Sequence, residues 1–209
     1  MRKHFLNAAV IVTALSSITT YALAEEILLE GTKPKVTVHS EERLKGKVKK
    51  QFTYFKKNAD FYGALYLNIQ EDVGGEFWDT RNMELAKQTA RKSCHLKSQN
   101  PSNCQLYATV GPKSPSNGKG ITLSQAGNRL FRKYQMSHKD GTFSAFATTE
   151  YGAPGYSRNQ HSEIEARATA IRFCEQSVEQ INKNTGAHLV QNVMSDESGT
   201  CRVIHVTKP

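Results

Sequence analysis

The chain has 209 residues, with 28 Lys or Arg against 19 Asp or Glu and a formal net charge of +9. That length admits one domain or two small ones. No apolar run beyond residue 21 is long enough to span a bilayer as a helix, so no transmembrane helix is expected in the mature chain, and the positive balance favours anionic partners over cationic ones.

Met1-Arg2-Lys3-His4 is a short basic head. Phe5 to Tyr21 is mostly apolar, and Ala22-Leu23-Ala24 is a small-x-small cleavage site. Together they predict a secretory signal peptide over residues 1–24. Asn7, Ser16, Ser17, Thr19 and Thr20 interrupt the apolar run and count against a retained membrane helix. Arg2 and Lys3 leave with the signal, so the mature chain carries 26 basic and 19 acidic residues, a net of +7.

Residues 25–60 read as a polar arm and a basic segment. The arm, Glu25 to Glu42, is predicted to be loose, with one short strand at Val36-Thr37-Val38. The segment from Arg43 to Lys57 holds seven basic residues and no acid: Arg43, Lys45, Lys47, Lys49, Lys50, Lys56 and Lys57. Phe52, Tyr54 and Phe55 lie among them. Leu44, Gly46 and Val48 alternate with Lys45, Lys47 and Lys49, the period of an extended chain. In that conformation the three lysines share a face roughly 7 Å apart, a spacing that follows a row of phosphates. The segment is therefore expected to bind anions. The competing reading is a sheet edge that lysines protect from edge-to-edge pairing.

A repeated pattern follows. In residues 61–110, Phe61 to Leu67 is a predicted strand, Gly74-Gly75 a loop, Thr80 to Ser93 a helix, and Cys104 to Val110 a return strand. In residues 143–209, Phe143 to Thr149 is a strand, Gly152, Pro154 and Gly155 a loop, a helix begins near Ser162, and Cys201 to Val206 is the last strand. Ala86, Ala90 and Cys94 fall four apart, as do Ala166, Ala170 and Cys174, so each set lies on one helix face. Ser162-Glu163-Ile164-Glu165 is a capping box. Internal self-similarity of this kind predicts a duplicated unit. Between the two, residues 111–142 read as a linker, with a strand expected at Arg129 to Tyr134. His188 to Met194 and the Cys201 strand are expected to form a terminal hairpin.

Four cysteines allow three pairings. Duplicated units predict Cys94–Cys104 and Cys174–Cys201, and an exported setting favours disulfides. A four-thiolate zinc site would show closely spaced cysteine pairs, and none is present. No two histidines sit at metal-ligand spacing. No phosphate loop or dinucleotide fingerprint occurs, so no metal or cofactor is expected.

Candidate chemistry is sparse. Glu71-Asp72, and Glu76 with Asp79, are the carboxylate pairs that sugar hydrolysis would need. Glu163-x-Glu165 resembles the acidic pair of ADP-ribosylating toxins, but acids in a first helical turn are favoured by the helix dipole alone. Tyr66 and Trp78 are candidates to line a groove beside Gly74-Gly75.

The paired layout resembles the bacterial family known as domain of unknown function 4189. The carrying residues are Tyr62-Gly63-Ala64 and Phe143-Ser144-Ala145, the two A-x3-A-x3-C helices, and a second Cys opening a strand in each unit. The resemblance covers Phe61 to Val206 and implies an exported small domain of unknown activity. The expected fold is α+β, two strand–helix–strand repeats on a mostly antiparallel sheet with two disulfides. The expected function is a non-catalytic exported binding or interaction module in the periplasm or outside the cell, contacting an anionic envelope surface or a protein partner. Nucleic acid is not expected. The alternatives are a periplasmic hydrolase acting on envelope polymer and a secreted effector.

Overall fold

The alanine stripes find their partners in two small sheets. The computed structural model describes residues 26–185 and 199–209, so the signal peptide and the first strand of the expected terminal hairpin lie outside the described residues. In chain order the elements are β1 (Ile27–Leu28), β2 (Pro34–Val38), α1 (Gly46–Asn58), β3 (Gly63–Asn68), β4 (Val73–Phe77), α2 (Met83–His95), β5 (Gln105–Pro112), β6 (Ile121–Thr122), α3 (Gln125–Met136), β7 (Phe143–Thr148), β8 (Pro154–Gln160), α4 (Glu163–Asn184) and β9 (Arg202–Thr207). The fold is α+β. The strands divide between an antiparallel sheet of order β2-β5-β3-β4 and another of order β8-β7-β9, with β1 and β6 as a short parallel pair.

Each sheet is covered on both faces, which is why β3 and β7 read as almost continuously buried. In the first unit, Leu65 and Leu67 face Val48 and Phe55 of α1, while Ala64 and Tyr66 face Ala86 and Ala90 of α2. In the second, Phe146 faces Phe131 and Tyr134 of α3, while Ala145 and Ala147 face Ala166, Ala170 and Cys174 of α4. Large side chains separate one helix from the sheet, and alanines let the other lie close. Gly75 and Gly155 complete the close contact. A Cβ on Gly75 would strike Ala90 O and Cys94 N, and one on Gly155 would strike Ala170 O and Cys174 N.

Both units therefore share the order helix–strand–strand–helix–strand. The expected loops at Gly74-Gly75 and Pro154-Gly155 belong to strands β4 and β8. Cys94–Cys104 and Cys174–Cys201 are both bonded, with sequence separations of 10 and 27. Ser162 caps α4 by accepting from Glu165 N at 3.2 Å, and Glu165 returns to the amide of His161 at 3.3 Å.

Two sequence expectations are corrected. The basic segment is not extended: from Gly46 it is helix α1. Arg129 to Tyr134 lies inside helix α3, whose buried Asn128, Phe131 and Tyr134 repeat at helical spacing. Ser124 caps this helix by accepting from Gly127 N at 3.0 Å.

The arm is also more tightly held than expected. β2 pairs with β5 at five positions. Glu30 is 2% exposed. Its carboxylate accepts from Tyr62 Oη at 2.7 Å and from Ser116 N at 2.7 Å, and its amide donates to Asn128 Oδ1 at 2.8 Å. The units meet through Arg81, which donates to Glu150 Oε1 at 2.6 Å, and through Gln125 N, which donates to Phe61 O at 3.0 Å.

Candidate functional site

Helix α1 has no acid in its first turn, and Lys45 at its N-cap makes no side-chain cap. Lysines at that end oppose the helix dipole. The missing cap comes from the β3–β4 turn. Asp72 accepts from Lys47 N at 2.8 Å and Val48 N at 2.9 Å. These two amide bonds hold its carboxyl below the usual range, helped by the charges of Lys47 and Lys50.

The helix turns Val48 and Phe55 inward and leaves its five lysines exposed, as are Arg43 and Lys45 just before it. Lys49 and Lys56 lie seven apart, as do Lys50 and Lys57, so two basic rows run two turns along the outer face, about 10 Å each. Tyr54 is 55% exposed beside Lys50 and Lys57, and its ring lies 6.0 Å from that of Trp78. None of the seven forms an ion pair among the described residues. The basic residues are thus brought together, but around a helix. Lys45, Lys47 and Lys49 do not share the extended face expected of them.

The four candidate acids are dispersed into separate tasks. Burial pushes the Glu71 carboxyl up, but hydrogen bonds from Asn100, Ser98 and the Gln99 and Asn100 amides hold it down to about 2. It anchors the loop after α2, accepting from Gln99 N at 2.7 Å. Asp72 caps α1. Glu76 lies on the α1 side of β4, where burial raises it to about 7 against the opposing influence of Lys97 and Gln51. Asp79 follows β4 with φ at 60° and accepts from Ala126 N at the start of α3 at 3.1 Å. Burial raises it to about 7 as well, against that amide bond. Glu163 holds Arg167 at 2.8 Å and Lys208 at 3.1 Å.

Tyr66 and Trp78 do not form a groove together. Tyr66 packs on the α2 face of the sheet, and Trp78 on the α1 face against Phe55.

A cleft of about 600 Å³ lies elsewhere, between β8, α4 and Leu130 of α3. Its walls include Tyr156, Arg158, Phe173 and Ser177. Sequence reading missed it. The one available signal was Phe173, an aromatic residue outside the alanine stripe of its helix.

No family model matches this chain, and no curated protein and no solved structure matches it either.

Proposed function

We propose that this chain is an exported, non-catalytic binding module that docks on anionic surfaces through α1. The observation that supports it is the helix and its lead-in: five exposed lysines on α1 with Arg43 and Lys45 just before it, no acid in the segment, and no ion pair to satisfy them among the described residues. Tyr54 adds an aromatic ring at the same face. Export rests on the signal-peptide pattern, and two disulfides accord with an oxidising compartment. No helix among the described residues is long and apolar enough to cross a membrane. The shared element order of the two units supports a duplication. The hydrolase reading gains nothing from the acids, because Glu71 and Asp72 are spent on loop and helix ends, while Glu76 and Asp79 sit in different packing layers.

Charge reversal tests the proposal. Lys49→Glu/Lys50→Glu/Lys56→Glu/Lys57→Glu alters only exposed positions. Mature protein should co-sediment with phosphatidylglycerol vesicles at low salt and come off as salt nears about 1 M, where screening acts within about 3 Å. The variant should stay in solution throughout. Equal sedimentation of the two proteins at low salt overturns the proposal.

A further inference from the structure

We infer that the cleft of the second unit binds an extended peptide that carries a carboxylate, added as a strand along β8. The two sheets differ at one edge. β4 and β8 are both edge strands, and an edge strand offers an unpaired row of backbone donors and acceptors. In the first unit that edge is guarded. Lys97 Nζ donates to Gly74 O at 3.0 Å, and Gln51 and Lys97 close over Glu76. A charge turned inward at an edge is a device against strand addition.

Adding 80 to each number gives the second unit, as the equivalence of Cys94 and Cys174 requires. Ser177 stands where Lys97 stands, and its hydroxyl donates to Pro154 O at 2.7 Å, the counterpart of Gly74 O. Tyr156 stands where Glu76 stands. Among the described residues no charged side chain turns inward at this edge, and a cleft is present; Ser177 and Gln160 hold the Pro154 and Arg158 carbonyls, and the remaining edge groups of β8 are left for a partner strand. Helix α4 has 22 residues against 13 in α2, and the extra turns, from Gln176 onward, build the far wall.

The lining selects the occupant. β8 is 7 residues long, roughly 23 Å at about 3.3 Å per residue, so a peptide of similar length fits alongside. A strand edge supplies main-chain pairing, and alternate side-chain sites supply selectivity. Leu130, Tyr156 and Phe173 offer apolar contacts, with Phe173 41% exposed. Among the described residues, Arg158 is the single charged one in the lining. It is exposed, its guanidinium lies 5.7 Å from the Tyr156 ring centroid, and it makes no ion pair among the described residues. That places an unmatched planar cation at the cleft, suited to a carboxylate.

The test pans a random octapeptide library on mature protein and on Arg158→Gln, whose exposed position leaves the core untouched. Peptides enriched on the natural protein should contain Asp or Glu. Synthetic versions should slow exchange of β8 amides that exchange freely without peptide. Arg158→Gln should weaken binding at least tenfold, and amidating the peptide's acid should remove that difference. The α1 charge-reversal variant should bind them normally, which separates this result from that of the surface-docking test. Failure to enrich any sequence over the Arg158→Gln bait overturns the inference, as does a bound peptide that leaves β8 exchange unchanged.

Discussion

Gly75 lies against the backbone amide of Cys94, leaving no room for a side chain between β4 and α2. Gly155 holds the same relation to Cys174. The obstructing atoms are main chain of the helix that carries the disulfide, so they cannot yield by a rotamer change. Gly75→Ala and Gly155→Ala should each destabilise by about 1–3 kcal/mol, the range for overpacking a filled site. Gly141→Ala, with nothing within 4 Å but φ at 76°, is the comparison for conformational cost alone. Urea unfolding checks it. A loss no greater than that of Gly141→Ala would place the sheet farther from the helix than described.

The disulfides close loops of different length. On the loop-entropy account the shorter contributes about 3 kcal/mol and the longer about 3.5 kcal/mol at most. Cys174→Ser/Cys201→Ser should therefore cost at least as much as Cys94→Ser/Cys104→Ser in thermal unfolding. Non-reducing peptide mapping should recover only the two within-unit links.

Asp79 gives a pH dependence of definite sign. Its carboxyl is raised from 3.8 to about 7 in the folded protein. Folding therefore takes up a proton between about pH 4 and pH 7, and stability falls as pH rises through that window. Asn tolerates the left-handed backbone and keeps an acceptor for Ala126 N. Asp79→Asn should flatten the slope and gain on the order of 1–2 kcal/mol at pH 8, after discounting for solvent screening. Glu71 acts in the opposite sense: its contribution is present above pH 4.5 and is lost as pH falls toward about 2. A steeper loss of stability between pH 4 and 7 in Asp79→Asn would contradict this assignment.

Glu30 ties the arm to the body. Burial and the neighbouring Glu30 push the Tyr62 phenol above its usual range. Glu30→Ala strands the Tyr62 hydroxyl and the Ser116 amide, at about 1–3 kcal/mol for each group left unsatisfied. Glu30→Gln, which keeps an acceptor, should cost less. Limited proteolysis near Glu30 and Ser116 should accelerate in the alanine variant before the rest of the chain unfolds.

Local chemistry made part of this structure readable from the residues alone. The A-x3-A-x3-C spacing marks a helix face that approaches a sheet, Ser162 with Glu165 marks a helix start, and paired spacing of four cysteines selects their links. Each signal acts within a few turns of chain or repeats within the sequence. The rest depends on contacts between distant residues. α1 begins with lysines and no cap of its own, and it forms because Asp72, more than twenty residues onward, supplies the missing acceptors. Spacing that read as an extended strip became a helix for that reason. Tyr66 and Trp78 fall on opposite faces because strand parity and the placement of two helices assign them there. Whether an acid is an anchor or is raised toward neutrality follows from its burial, and whether a sheet edge is plugged or open follows from which side chain the folded helix brings to it.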